Sequence, residues 1–192
     1  MNNILVCIIS CQKNKELWNE YLEKEIDNLI IVCGDSNLKQ LYKLDNKVLY
    51  VNCSDSYCGL CEKIIFTINA ILDLEKYKGI THLLKIDDDN YFTKDNIIKL
   101  SQNRIINKFH YIGQGQNKSN SRKQWGFWHF ENTKSENYWY KKEYIGKPNI
   151  SYPDGGESYI ISKTAMNKIK EYYGFYNLEK IRREHIYEDY MI

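Results

Sequence analysis

The first half of the chain alternates short apolar runs with amphipathic segments. Ile4 to Ser10 is short and apolar, the pattern of a buried strand. Lys15 to Ile26 follows, with Leu17, Tyr21, Leu22 and Glu25 at helical spacing. Leu29 to Cys33 is a second apolar run, closed by Gly34-Asp35. Leu38 to Leu44 predicts a short helix, and Lys47 to Asn52 a third strand. A longer helix is predicted from Tyr57 to Leu74. In it Leu60, Ile64, Ile68, Ile71 and Leu72 form one stripe that must face the core. Ile80 to Ile86 is the fourth strand. This βαβαβαβ order predicts an α/β fold: a mostly parallel, twisted sheet with flanking helices and a Rossmann-like N-terminal half.

The second half is less regular. Asp95 to Asn107 reads as a helix, with Ile97, Ile98, Leu100 and Ile105 apolar. Tyr111 to Gly115 reads as a strand, Gln116 to Gln124 as a polar loop and Ser158 to Ile161 as a strand. Ser162 is placed to cap a helix from Lys163 to Tyr173, with Ala165, Met166, Ile169, Tyr172 and Tyr173 inward and Gly174 at its end. There is no internal repeat and no linker, so a single domain over residues 1–192 is expected.

Where the fourth strand ends, the chemistry changes abruptly. Leu83-Leu84-Lys85-Ile86 runs into Asp87-Asp88-Asp89. Three carboxylates side by side repel one another, and a hard divalent cation such as Mn²⁺ or Mg²⁺ offsets that repulsion. In an extended backbone Asp87 and Asp89 share a face and Asp88 points away. The triplet alone is equally compatible with a solvated acidic turn. Its place favours the metal, because parallel sheets bind ligands beyond the carboxyl ends of their strands. The same topology puts Ser10, after the first strand, and Asp35, after the second, within reach of a nucleotide.

Charge and cysteine content narrow the classes. A net charge of +2, with both signs spread along the chain, does not call for nucleic acid. No stretch approaches the ~20 apolar residues of a membrane span. The start lacks the basic segment and long apolar core of a secretory signal, so the cytoplasm is the expected compartment. All six cysteines lie between Cys7 and Cys61. Cys58-Gly-Leu-Cys61 has CxxC form, but no second pair or suitably spaced histidine accompanies it, so reduced thiols that bind no metal are expected.

Four segments, in order and at similar spacing, resemble the beta-1,3-glycosyltransferase family that includes the beta-1,3-galactosyltransferases and the Fringe enzymes. Asp55-Ser56-Tyr57, Leu60 and Lys63 resemble its D-x-Y-x-N-L-x-x-K segment, with Gly59 in place of the Asn. His82 to Asp89 resembles its K-Y-x-x-K-x-D-D-D strand. Tyr152-Pro153, Gly155-Gly156 and Tyr159-Ile160-Ile161-Ser162 resemble its Y-P-x-Y-x-x-G-x-x-Y-V-x-S segment with a shorter spacer. Tyr187-Glu188-Asp189-Tyr190 resembles its E-D-V segment.

The resemblance implies a GT-A-type fold, with residues 1–89 as the nucleotide-sugar-binding half and 90–192 as the acceptor-binding and catalytic half. It implies a UDP-linked or other nucleotide-sugar donor, a Mn²⁺ (or Mg²⁺) held by Asp87 and Asp89, and inversion to a beta-linkage on a glycan or glycoprotein hydroxyl. It gives Asp189 the role of general base, with Glu188 as its neighbour or a substrate ligand. Asp88 is assigned to the donor side. Gly155-Gly156 is either a turn or a loop close to the sugar. Lys63 lies off the apolar stripe, either as a cation near the acids or as a surface lysine. The Trp125, Trp128, Trp139 and Tyr140 group is expected to pack in the core rather than to stack on a sugar.

Two departures qualify the match. Family members usually supply a further histidine ligand well after the E-D-V segment, whereas this sequence stops at Ile192. Water is expected to complete the sphere, or the sequence is cut from a longer one; neither His129 nor His185 aligns with that ligand. Animal members carry a membrane anchor that is not seen here, which fits a virus or microbe with its own glycosylation machinery. The competing readings are a nucleotide- or sugar-binding module without catalysis and a metal-dependent nucleotidyltransferase. Ser10-Cys11-Gln12-Lys13-Asn14 lacks the glycines that the latter would use around phosphate.

Overall fold

The computed structural model describes residues 2–118, 151–174, 181 and 191. Among these residues, seven strands form one sheet in the order β3-β4-β2-β1-β5-β7-β6. They are β1 (Ile4–Ile9), β2 (Leu29–Gly34), β3 (Tyr42–Asp45), β4 (Val48–Val51), β5 (His82–Asp87), β6 (Tyr111–Lys118) and β7 (Ser151–Ser162). The α-helices of four or more described residues are α1 (Trp18–Leu22), α2 (Leu60–Asp73), α3 (Lys94–Gln102) and α4 (Lys163–Tyr173). The expected α/β architecture with flanking helices is therefore present, and its sheet is mixed, with parallel pairings in the middle and antiparallel ones towards both edges. β1 pairs in parallel with β2 and β5, and β2 with β4, while β3, β7 and β6 join antiparallel to their neighbours.

β1 is apolar along its whole length because it is covered on both faces. Leu5, Cys7 and Ile9 pack with α2 and α4 on one side of the sheet, and Val6 and Ile8 pack with Trp18 and Tyr21 on the other. α4 lies against α2, and Lys170 pairs with Asp73 across them. Ser162 caps α4 by accepting from Ala165 N at 3.2 Å, as its position predicted, and Gly174 ends the helix at φ 54°. Met166, Ile169 and Tyr173 are buried, but Tyr172 is 55% exposed. It stands edge-on to Tyr173, outside the layer that α2 fills.

Three predicted helices differ. Residues 38–44 do not form one; Tyr42–Asp45 is an edge strand paired with β4. Asn46, in the short link between them, takes φ 55°, a conformation that asparagine tolerates better than most residues. The helix predicted from Lys15 is a 3-10 turn over Gln12–Leu17 followed by the short α1. The helix predicted over 95–107 breaks at Asn103, whose backbone is extended and whose side chain accepts from Ile105 N, starting a separate 3-10 turn. The predicted loop at 116–124 begins later than expected, since β6 runs through Lys118; its remainder lies outside the described residues.

Candidate active site

The parallel strands β1, β2, β4 and β5 all end at one edge of the sheet, which brings Ser10, Gly34, Asp55 and the Asp87–Asp89 triplet together. Asp55 is the hub on the β2 side. Its Oδ2 accepts from Gln12 N at 2.6 Å and its Oδ1 from Gly34 N at 2.8 Å. Lys63 Nζ donates to Asp55 Oδ1 at 2.8 Å and to Ser10 O at 2.7 Å. The chain packs so tightly here that a Cβ on Gly34 would lie 2.9 Å from Asp55 Cα.

Lys63 is therefore no surface lysine. It is buried in α2, next to Asp55 rather than to the triplet. An off-stripe position does not mean exposure here, because every residue from Cys61 to Ile71 is buried between the sheet and the elements over it. In the sequence Asp55 stands out only as part of the D-x-Y segment. Its place as the hub comes from the convergence of segments far apart in the chain.

The triplet divides as its alternation predicts through Asp88. Asp88 turns towards α1, where its Oδ2 accepts from Ser10 Oγ at 2.5 Å and Asn14 Nδ2 at 2.9 Å. Trp18 Nε1 donates to Ser10 Oγ at 2.8 Å, and Tyr21 OH donates to Asp88 O at 2.5 Å. Burial, with the nearby Asp88, Glu20 and Asp89 carboxylates, raises the Tyr21 hydroxyl above its ordinary pKa. Asp87 lies on the opposite face, where its Oδ2 takes a hydrogen bond from Lys85 Nζ at 2.9 Å. Strand alternation does not extend to Asp89, because β5 ends at Asp87 and the chain turns. Asn90 N donates back to Asp87 O at 3.1 Å. Asp89 is exposed, and its Oδ1 accepts from Asn90 Nδ2 at 3.0 Å.

β7 overshoots the end of β5. Ile86 pairs with Ser158, so Gly156 and Gly155 continue the strand past the acids. The pair is strand and not a turn. Gly156 O accepts from Lys85 Nζ at 3.0 Å, which ties β7 to the strand carrying the acids. Asp35 stands at the same sheet edge, but its Oδ1 accepts from Asn37 N, a local turn contact. Glu188, Asp189, Trp125, Trp128, Trp139, Tyr140, His129 and His185 lie outside the described residues.

Residues 34–192 match the family model described as galactosyltransferase, well over half of the chain. The chain belongs to the galactosyltransferase family. No curated protein matches it closely enough to count as a relative. Membership makes the protein a glycosyltransferase, with a sugar donor and an acceptor as its partners. The seven-stranded α/β sheet is consistent with the GT-A-like fold that the galactosyltransferase resemblance implied. No helix among the described residues is long and apolar enough to cross a membrane. The match begins at Gly34, so this galactosyltransferase domain includes Asp55, Lys63, the triplet and the β7 glycines.

Proposed function

We propose that the chain is an inverting, metal-dependent glycosyltransferase that moves a sugar from a UDP-sugar, or another nucleotide-sugar, to a hydroxyl of a glycan or glycoprotein, forming a beta-linkage. The observation that carries this is the division of labour in the triplet. Asp88 is engaged by Ser10 and Asn14 and fixes the loop after β1, while Asp87 and the exposed Asp89 stand at the carboxyl edge of the sheet.

The donor set fits the group that the family implies. Carboxylate oxygens are hard ligands suited to Mn²⁺ or Mg²⁺. Among the described residues no three His, Cys, Asp or Glu side chains form a complete cage, so a diphosphate and water would supply the rest. Asp87 and Asp89 would hold the ion. When bound, it supplies Lewis-acid neutralisation of the leaving diphosphate. Ser10 and Asp35 flank the nucleotide side, and the Gly155–Gly156 backbone lies where a donor sugar would sit. Lys63 supports the site from below through Asp55. The acceptor hydroxyl has a pKa far above neutrality and needs a positioned base; Asp189 takes that role, with Glu188 beside it.

Calorimetric titration of UDP with and without Mn²⁺ tests the reading, followed by assays of UDP-sugar hydrolysis and transfer. Binding that depends on Mn²⁺ and disappears in Asp87→Ala and Asp89→Ala is expected, as is transfer that disappears in Asp189→Ala. Mn²⁺-dependent binding without hydrolysis or transfer of any UDP-sugar would favour a binding module instead.

A further inference from the structure

Lys85 is an unusual residue to find behind a cation site. Its side chain is 0% exposed. Its ammonium donates to Asp87 Oδ2 at 2.9 Å and to Gly156 O at 3.0 Å, and it sits 5.5 Å from the centre of the Tyr159 ring. It shares a strand face with Asp87, two residues on. An exposed lysine would swing away from an arriving cation. This one is fixed by a carbonyl, a ring and the sheet itself.

We propose that Lys85 is a built-in counter-cation that sets the order of loading, so that the divalent ion enters together with the nucleotide diphosphate and not ahead of it. The inference rests on the metal-diphosphate reading above. A fixed ammonium already placed on Asp87 repels a bare dication arriving at the same carboxylate, and close charges in a partly buried site are weakly screened. The same ammonium attracts an anionic diphosphate. Asp88 keeps its charge but is turned to the other face of the strand, where its Oδ2 is held by Ser10 and Asn14, so Lys85 is the charge placed directly on Asp87. Removing Lys85 therefore acts with opposite sign on the two ligands, which a purely structural lysine would not do.

The test is titration of Mn²⁺ alone, and of UDP in saturating Mn²⁺, into the wild-type protein and Lys85→Met. Wild type is expected to bind Mn²⁺ alone at least about a hundredfold more weakly than it binds Mn²⁺ in the presence of UDP. Lys85→Met is expected to bind Mn²⁺ alone at least about tenfold more tightly than wild type, and UDP with Mn²⁺ more weakly. Lys85→Gln, whose amide can still donate to Gly156 O, carries the same expectation if the methionine variant does not fold. Loss of both affinities together would make Lys85 merely structural and overturn the inference. Tight binding of bare Mn²⁺ by wild type would overturn it with no variant at all. Absence of Mn²⁺-dependent UDP binding in wild type would instead remove the metal-diphosphate reading on which it stands.

Discussion

Lys63 Nζ sits 2.8 Å from Asp55 Oδ1, and this pair joins α2 to the loops after β1, β2 and β4. The lysine side chain is 5% exposed and the aspartate 22%, so the two ends of the pair are not equivalent. Asp55→Ala leaves a buried ammonium without its carboxylate and two backbone N–H groups without their acceptor. The expected loss is about 3 kcal/mol, lowering the melting temperature by about 6–12 °C. Lys63→Met removes the buried charge together with its need for a partner, while Asp55 keeps its backbone donors and some water. It should cost less. Thermal and urea unfolding of both variants checks the order; greater damage from Lys63→Met would refute this account of the pair.

Gly59 stands where the resembled segment carries asparagine, and the structure gives a steric reason. A Cβ at this position would lie 2.1 Å from Ser54 O. Gly59→Asn, although it restores the usual residue, is expected to destabilise the protein by about 1–3 kcal/mol. An unchanged urea midpoint would mean that the 54–59 backbone yields easily.

The thiols should sort by burial. Cys11 and Cys58 are partly accessible, whereas Cys7, Cys33, Cys53 and Cys61 are buried. Burial, followed by the Asp55 carboxylate, raises the Cys33 pKa from 9.0 to about 12, and burial raises Cys7 further. Since the thiolate is the reactive form, alkylation of the folded protein at pH 8 should label Cys11 and Cys58 first and spare Cys33 and Cys7. Mass spectrometry of the labelled peptides reads this directly. Because the folded Cys33 value is raised, its contribution to stability is present below pH 9 and lost as the pH rises through about 12.

His82 opens β5 and is buried, which lowers its pKa below 6.5. A histidine held neutral in the fold is charged more readily when unfolded. Its contribution is therefore full above pH 6.5 and lost as the pH falls from there through the lowered folded value. His82→Gln should flatten the stability profile over that acid window while leaving the neutral plateau nearly level. Unfolding midpoints measured from pH 7.5 to pH 4.5 decide it; parallel profiles would assign the acid sensitivity to other groups.

Legibility followed the range of the forces involved. The α2 stripe, the apolar strands β1, β2 and β5 and the placing of the acids at a strand end were readable, because each rests on periodicity within one segment. The edge strand β3 was not. Its alternation spans only Tyr42–Asp45, too short to overrule a helical reading of the residues around it. Asp55 was visible only as part of a motif, since its partners Gln12, Gly34 and Lys63 meet it through space. The burial of Lys63 was hidden for a related reason: α2 is enclosed on more sides than its stripe reveals.

The hydrogen bond from Ser10 to Asp88 spans 78 residues of chain. β1 is made first, yet it is the middle strand of the sheet and needs β5 on one flank. At about 5–20 residues per second, a ribosome takes about 4–16 s to travel from one partner to the other. During that interval a wholly apolar strand waits with one edge open, a natural point for chaperone capture during synthesis. The acid triplet of the candidate site arrives with the strand that closes that edge.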